Sequence, residues 1–156
     1  MYLKLIFILL MSCFLSPAQK YSFVNWTVED GLIQSQASFI CQDQYRQLWI
    51  GTEGGVSCFD GKRFVSYTVK DGLVANRVKT MYNDQKGRLW LGTSHGVSVF
   101  NGRSFNNIPV NENFPGTVQQ IAEMKNGSVY ALVNLQLFRI NGSYTEKISL
   151  SGDSAE

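Results

Sequence analysis

Short apolar runs alternate with polar, glycine-containing segments along most of the chain, and this pattern predicts β-strands. Asp60-Gly61, Asn101-Gly102 and Asn141-Gly142 each separate two apolar runs. Asp-Gly and Asn-Gly favour two-residue type I′ hairpins, because both turn residues need a positive φ. We therefore expect antiparallel strands joined by tight turns at these three pairs.

The apolar runs form three sets of four strands, called a to d in chain order. The first set is predicted at Ala37–Gln42, Gln47–Thr52, Val56–Phe59 and Arg63–Thr68. The second set is predicted at Arg77–Asn83, Arg88–Thr93, Val97–Phe100 and Ser104–Ile108. The third set is predicted at Val118–Met124, Ser128–Val133, Leu137–Ile140 and Tyr144–Ile148.

The sets recur with a period of 41 residues. Asp30-Gly31-Leu32 returns at 71–73, Leu48–Thr52 returns at 89–93, and Phe59-Asp60-Gly61 returns at 100–102 with Asn for Asp. Repeats of about 40–45 residues with four strands each are typical of β-propeller blades. The predicted fold is all-β: a partial β-propeller of about three four-stranded antiparallel blades.

The repeats predict how the domain is divided. An incomplete propeller spans 19–150, with repeats at about 28–68, 69–108 and 109–149, and a polar tail follows at 151–156. The third repeat is atypical, since Leu132 replaces the glycine of the second. Closed propellers have about four to eight blades, so we expect this chain to be the beginning of a longer protein.

The segment before the first repeat resembles a fourth strand without its blade. Phe23 and Trp26 lie 41 residues before Phe64 and Tyr67. We therefore expect Tyr21–Thr27 to be an orphan outer strand, whose blade is completed by other blades of a longer chain or by a second copy.

Residues 1–18 have the features of a secretory signal peptide. Lys4 precedes an apolar stretch of 11 residues, Leu5–Leu15, which is too short to span a bilayer. Small residues before Gln19 suit cleavage there. The predicted location is the periplasm or cell envelope. An alternative is lipid anchoring at Cys13, and otherwise the membrane would be reached only through a downstream helix.

Apolar strands that lack alternation predict burial on both faces, as in a blade between two neighbours. Trp49 and Trp90 are expected to fill the gaps between blades, and Gly51 and Gly92 to mark a bulge or a close backbone approach. Cys41 and Cys58 fall on the first and third strands of one blade, about 10 Å apart. A disulfide needs Cα atoms within about 7 Å, so we expect two separate buried thiols.

Composition and motifs exclude several function classes. The net charge is only +2 and the basic residues are scattered, which disfavours nucleic-acid binding. The sequence has no serine-nucleophile elbow, phosphate-binding glycine loop or zinc-protease motif. We therefore predict no catalytic residues, no metal site and no cofactor in this segment.

A binding surface is expected where the b–c and d–a connections share one end of the propeller, because loops on a rigid scaffold carry function. The candidate ligand-binding residues at this end are Asp30, Glu53, Asp71, Arg77 and His95. The alternative is structural: Asp before Gly is an ordinary turn residue, and a lone loop histidine is usually just solvated.

The ordered string of Asp-Gly-Leu at 30–32, Leu-Trp-Ile-Gly-Thr at 48–52, Gly-Val-Ser-x-Phe-Asp-Gly at 55–61 and Phe-x-x-Tyr at 64–67 resembles the two-component regulator propeller repeat. The second copy differs in having Ile108 for the last Tyr. The resemblance implies the periplasmic input region of a large sensor of Bacteroidetes-type bacteria, with a membrane helix and a histidine kinase downstream.

The resemblance also implies a function. Many such sensors respond to polysaccharide fragments, so the expected role is non-catalytic ligand sensing, with an oligosaccharide as the partner. Two alternatives remain: a protein-docking propeller scaffold, and a secreted propeller enzyme acting on polysaccharide, for which Glu53, Asp71 and His95 would be the acid, base or proton-transfer groups.

Overall fold

The computed structural model describes residues 22–109, 116–142 and 144–149. The predicted signal peptide, lipid-anchor position and polar tail lie outside these residues. The described chain is all-β, with twelve strands. They are β1 Ala37–Gln42, β2 Leu48–Thr52, β3 Val56–Phe59, β4 Phe64–Tyr67, β5 Val78–Asn83, β6 Leu89–Thr93, β7 Gly96–Phe100, β8 Phe105–Pro109, β9 Val118–Glu123, β10 Val129–Val133, β11 Gln136–Asn141 and β12 Tyr144–Ile148.

The strands form three antiparallel sheets, each a meander of four consecutive strands: β1–β4, β5–β8 and β9–β12. We call them the first, second and third blades. Strand β5 packs beside both β1 and β9, so the first strands of the three blades line a common axis. This is the arrangement of a partial β-propeller, and the predicted fold class is confirmed. Every predicted strand end lies within one residue of the observed end.

The predicted turn type is wrong. None of Asp60, Asn101 and Asn141 has a positive φ. Asp60 instead opens a four-residue loop, because its carboxylate accepts hydrogen bonds from the backbone N–H groups of Lys62 and Arg63. A two-residue turn with both φ values positive does occur, at Asn134-Leu135 between β10 and β11.

The core lies between the blades, as the Trp predictions require. Trp49 is 2% exposed, stacks on Tyr67 at 5.7 Å between ring centroids, and contacts Phe100 of the second blade at 5.2 Å. Trp90 is also buried and joins the apolar cluster between the second and third blades. Aromatic contacts of this kind add to the free energy of area burial.

A buried carboxylate holds each of these tryptophans. Asp43 accepts a hydrogen bond from Trp49 Nε1 at 2.9 Å, and Asp84 accepts one from Trp90 Nε1 at 2.8 Å. The third blade has Met124 and Tyr130 at the two corresponding positions, so acid and indole are lost together. The sequence contains this signal as an Asp six residues before each Trp.

The strand glycines permit close approach of the next blade. A Cβ on Gly51 would lie 2.8 Å from Val78 Cγ1, and one on Gly92 would lie 2.7 Å from Val118 Cγ1. Opposite each glycine, the first strand of the same blade carries a register shift, at Ala37/Phe39 and at Val78/Thr80. The two expected features, a close approach and a bulge, therefore occur together.

The N-terminal segment keeps its place but is not a strand. Residues 22–27 form no sheet, since a third strand to pair with is absent from the described chain. Trp26 nevertheless packs on Phe59 and Phe64, with ring centroids 4.7 and 5.9 Å away. Tyr67 contacts Phe100 and Phe105 of the second blade in the same way. The 41-residue register of this segment is therefore observed.

The two described cysteines are free thiols, as expected. Cys58 is buried, but Cys41 is only half-buried, because its strand is the innermost of the blade and borders the open axis. Both lie beside Trp49 in the sheet register. Burial raises the pKa of each thiol to about 11, so neither is a reactive thiolate at neutral pH.

Gly92→Ala should lower the free energy of unfolding by about 1–3 kcal/mol, because the new methyl group overlaps Thr80 and Val118. Chemical denaturation checks this. Gly54→Ala is the control, since its methyl group would meet only the flexible end of Gln34, at 3.3 Å. Equal effects of the two substitutions would contradict the close-approach argument.

Asp84→Ala should also cost about 1–3 kcal/mol at neutral pH, because Trp90 Nε1 and Arg88 lose a buried partner. Burial alone would raise the pKa of Asp84, but hydrogen bonds from Trp90 and Arg88 outweigh it and hold the pKa below 3.8. A lowered pKa stabilises the fold above the unfolded value and loses that stabilisation as pH falls.

The stability difference between Asp84→Ala and the parent chain should therefore narrow as pH falls below about 4. Denaturant unfolding at pH 7 and pH 3 measures it, with Glu146→Ala as the control for an exposed carboxylate. A difference that does not change with pH would show that the charge of Asp84 contributes nothing.

Candidate functional site

One end of the three sheets carries the β2–β3, β6–β7 and β10–β11 connections and the segments that precede β1 and β5. We call this end the loop face. All five predicted site residues lie here: Asp30, Glu53, Asp71, Arg77 and His95.

Glu53 is the centre of an ion-pair group on the loop face. Its Oε2 lies 2.5 Å from Arg77 Nε, and its Oε1 lies 2.6 Å from Lys79 Nζ. Glu53 comes from the first blade and both cations come from the second, so the group bridges two blades. Hydrogen bonds from Lys79 and then Arg77 hold the pKa of Glu53 below 4.5. Two cations and one carboxylate leave one positive charge in excess.

Lys79 was not among the predicted residues. It is the extra residue in the register shift of β5, which turns its side chain toward the loop face. Ser38 and Gln119 occupy the corresponding positions in β1 and β9. A polar residue at this position in every repeat was a signal that the sequence contained.

Asp30 and Asp71 cap short turns rather than project into a site. Each carboxylate accepts hydrogen bonds from the backbone N–H and the side chain of a threonine three residues earlier, Thr27 or Thr68. The two aspartates therefore stabilise matching 3₁₀ turns at Val28–Asp30 and Val69–Asp71. The turn-residue alternative describes them.

His95 is exposed in the β6–β7 connection. Its Nδ1 lies 2.8 Å from Ser94 Oγ, and the backbone N–H of Ser94 donates to the carbonyl of Arg77 at 3.1 Å. The connection that carries His95 is thus tied to the ion-pair group, and the loop face brings together Glu53, Arg77 and this connection.

A recess of about 460 Å³ runs along the innermost strands beside Lys79. Its lining includes Phe39, Tyr82 and Gln119, one from each blade. The recess borders the axis of the propeller, so a molecule held by the ion-pair group would have aromatic and amide side chains below it.

Two further properties concern the described residues alone. No three of their His, Cys, Asp and Glu side chains are grouped so as to hold a metal ion. None of their helices has the length and apolar character needed to cross a membrane.

The family model described as the two component regulator propeller matches residues 72–95. The chain contains a two-component regulator propeller repeat. The matched range includes strands β5 and β6 with Arg77, Lys79, Trp90 and Gly92. The predicted recognition of these repeats is confirmed.

Solved structures show the same architecture. The extracellular domain assigned to the hybrid two component system BT3049 of B. thetaiotaomicron is 26% identical, with a TM-score of 0.68 over 84% of this chain and 19% of that chain. The chain thus spans about a fifth of that domain. No curated protein matches the sequence significantly.

Two more distant structures complete the comparison. A catalytically inactive variant of virginiamycin B lyase from Staphylococcus aureus, with quinupristin, is 15% identical, with a TM-score of 0.66 over 85% of this chain and 46% of that chain. The extracellular domain assigned to the one component system BT4673 of B. thetaiotaomicron is 15% identical, with a TM-score of 0.47 over 78% of this chain and 25% of that chain. The likeness to the lyase concerns the fold alone.

The ion-pair geometry predicts how Glu53 titrates. Its carboxyl pKa should lie below 4.5, and Lys79→Ala should raise it, because the first-ranked hydrogen bond is lost. Carboxyl carbon shifts in a pH series of NMR spectra measure it. Lys62→Ala, which changes an exposed lysine at the other end of the first blade, is the control. An unchanged pKa in Lys79→Ala would show that this ion pair does not form in solution.

Proposed function

We propose that this chain is a non-catalytic ligand-sensing segment of the extracellular or periplasmic propeller region of a two-component sensor. The observation that carries the proposal is the repeat match together with the 26% identity to the extracellular domain of a two-component system. The predicted signal peptide at 1–18 supports export to the periplasm or cell envelope.

The ligand proposed for the loop face is a polysaccharide fragment. Sugars are recognised by polar groups that are fixed in position and by aromatic rings that border a recess. The ion pairs fix Glu53, Arg77 and Lys79, and Phe39 and Tyr82 line the recess beside them. His95, on a connection bound to Arg77, would extend the polar rim.

The proposal also includes further blades. In the second blade, Met81 and Leu89 are each 3% exposed because the first blade covers them. At the corresponding positions of the first blade, Ile40 is 59% exposed and Leu48 is 38% exposed. A blade of the same kind, from more of the protein or from a second copy, would cover this face, since each blade is stabilised by its neighbours.

Isothermal titration calorimetry with a broad oligosaccharide panel tests the sensing proposal. We expect binding to at least one glycan, and a loss of about tenfold or more in affinity in Glu53→Gln and Lys79→Ala, because each substitution removes a charged hydrogen bond. Lys62→Ala should bind as the parent does.

Three outcomes would contradict this proposal. Binding to a partner protein with no response to any glycan would favour the docking-scaffold alternative. Turnover of a polysaccharide that disappears in Glu53→Gln would favour the enzyme alternative. Glycan binding that Glu53→Gln and Lys79→Ala leave unchanged would place the ligand elsewhere on the chain.

A further inference from the structure

A groove of about 690 Å³ opens between the second and third blades, at the end opposite the loop face. Between the first and second blades the same space is filled by aromatic rings around Trp49: Tyr67, Phe100 and Phe105. The groove lies within the size range of small-molecule sites, about 300–1,000 Å³.

Smaller residues explain why only the second junction is open. The repeat spacing and strand register place Ile108, Ile140 and Thr145 where the first junction has Tyr67, Phe100 and Phe105. Three rings are thus replaced by two isoleucines and a threonine. The groove is bounded by two blades that are both described, so its walls do not depend on further blades.

The groove has a cationic and amide lining. Lys86 and Arg88 lie on one wall, Asn106 contributes an amide from β8, and Asn141 contributes one from the third blade. No carboxylate lines the groove. The two nearby acids are engaged elsewhere: Asp84 is buried beneath Arg88, and Glu123 accepts a hydrogen bond from the backbone of Gln85 at 2.9 Å.

Arg88 is held in a fixed position. Its Nε donates to Asp84 Oδ2 at 2.6 Å, and its guanidinium lies 5.2 Å from the centroid of the Trp90 ring. The terminal amino groups make no hydrogen bond with the described residues, and the side chain is 39% exposed. A guanidinium whose terminal nitrogens stay available matches the two oxygens of a carboxylate or sulfate group.

The cations occur only at the junction that lacks the rings. The first blade has Tyr45 and Gln47 at the positions of Lys86 and Arg88, and the third blade has Asn126 and Ser128. The open space and the positive charge therefore belong to the same pair of blades, which the structural needs of the repeat do not explain.

We propose that the groove between the second and third blades binds an acidic sugar. Its carboxylate or sulfate is held by the terminal nitrogens of Arg88 and by Lys86. Its hydroxyl groups contact the amides of Asn106 and Asn141, and its apolar face lies along Phe105. This site is separate from the loop face, and the proposal stands whether or not the loop face binds a glycan.

Calorimetric titration of the full chain with trigalacturonate, a sulfated galactose disaccharide and neutral cellotriose tests the proposal. We expect binding of an acidic probe and at least tenfold weaker binding of cellotriose. Arg88→Gln should weaken acidic-probe binding at least tenfold. This variant carries the residue that the first blade has beside Asp43, so the fold accepts it.

Ile108→Tyr provides a second, independent variant, because it restores a ring of the first junction and fills the groove. Acidic-probe binding should be lost in it and unchanged in Arg63→Gln, which alters an exposed arginine of the first blade. Glu53→Gln should also leave it unchanged, and this separates the groove from the loop face.

Each outcome decides the matter. Binding of trigalacturonate alone identifies a carboxylate ligand, binding of the sulfated disaccharide alone identifies a sulfate ligand, and binding of both identifies the shared oxyanion; all three support the proposal. No binding of either acidic probe, equal binding of cellotriose, or full binding by Arg88→Gln and Ile108→Tyr would overturn it.

Discussion

Packing between consecutive blades is the interaction on which the rest of this structure depends. A single four-stranded sheet with apolar residues on both faces cannot bury them alone. A tryptophan in the second strand fills the space beside the next blade, and the glycine two residues later lets a valine of that blade approach closely. The ion-pair group and the acidic-sugar groove both lie at these junctions, so each requires two blades in register.

Much of the fold could be predicted, because the pattern repeats. Each strand is marked by its own apolar run, and three copies at one period constrain the strand ends more tightly than one copy does. The turn type was wrong because a side chain decided it: the Asp60 carboxylate binds two backbone N–H groups and stabilises a longer loop. Dipeptide preference describes backbone strain and does not include that hydrogen bonding.

The candidate site was predicted only in part. The loop arrangement placed Glu53 and Arg77 at one end, but the sequence gives no distance between them. Lys79 was missed because an alternating strand pattern assigns it to a sheet face, whereas a register shift redirects it. Asp30 and Asp71 recur for the stability of a turn, which shows that a repeated polar residue need not belong to a binding surface.

Chemical-shift mapping of the labelled chain with an oligosaccharide that binds it tests the central claim most directly, because it shows where on the propeller a ligand lies. The account predicts perturbed amides at Arg77 and Lys79 on the loop face, with a second set at Arg88 and Asn106 only for acidic sugars. Perturbations confined to the exposed outer face of the first blade, or no perturbation by any glycan, would contradict it.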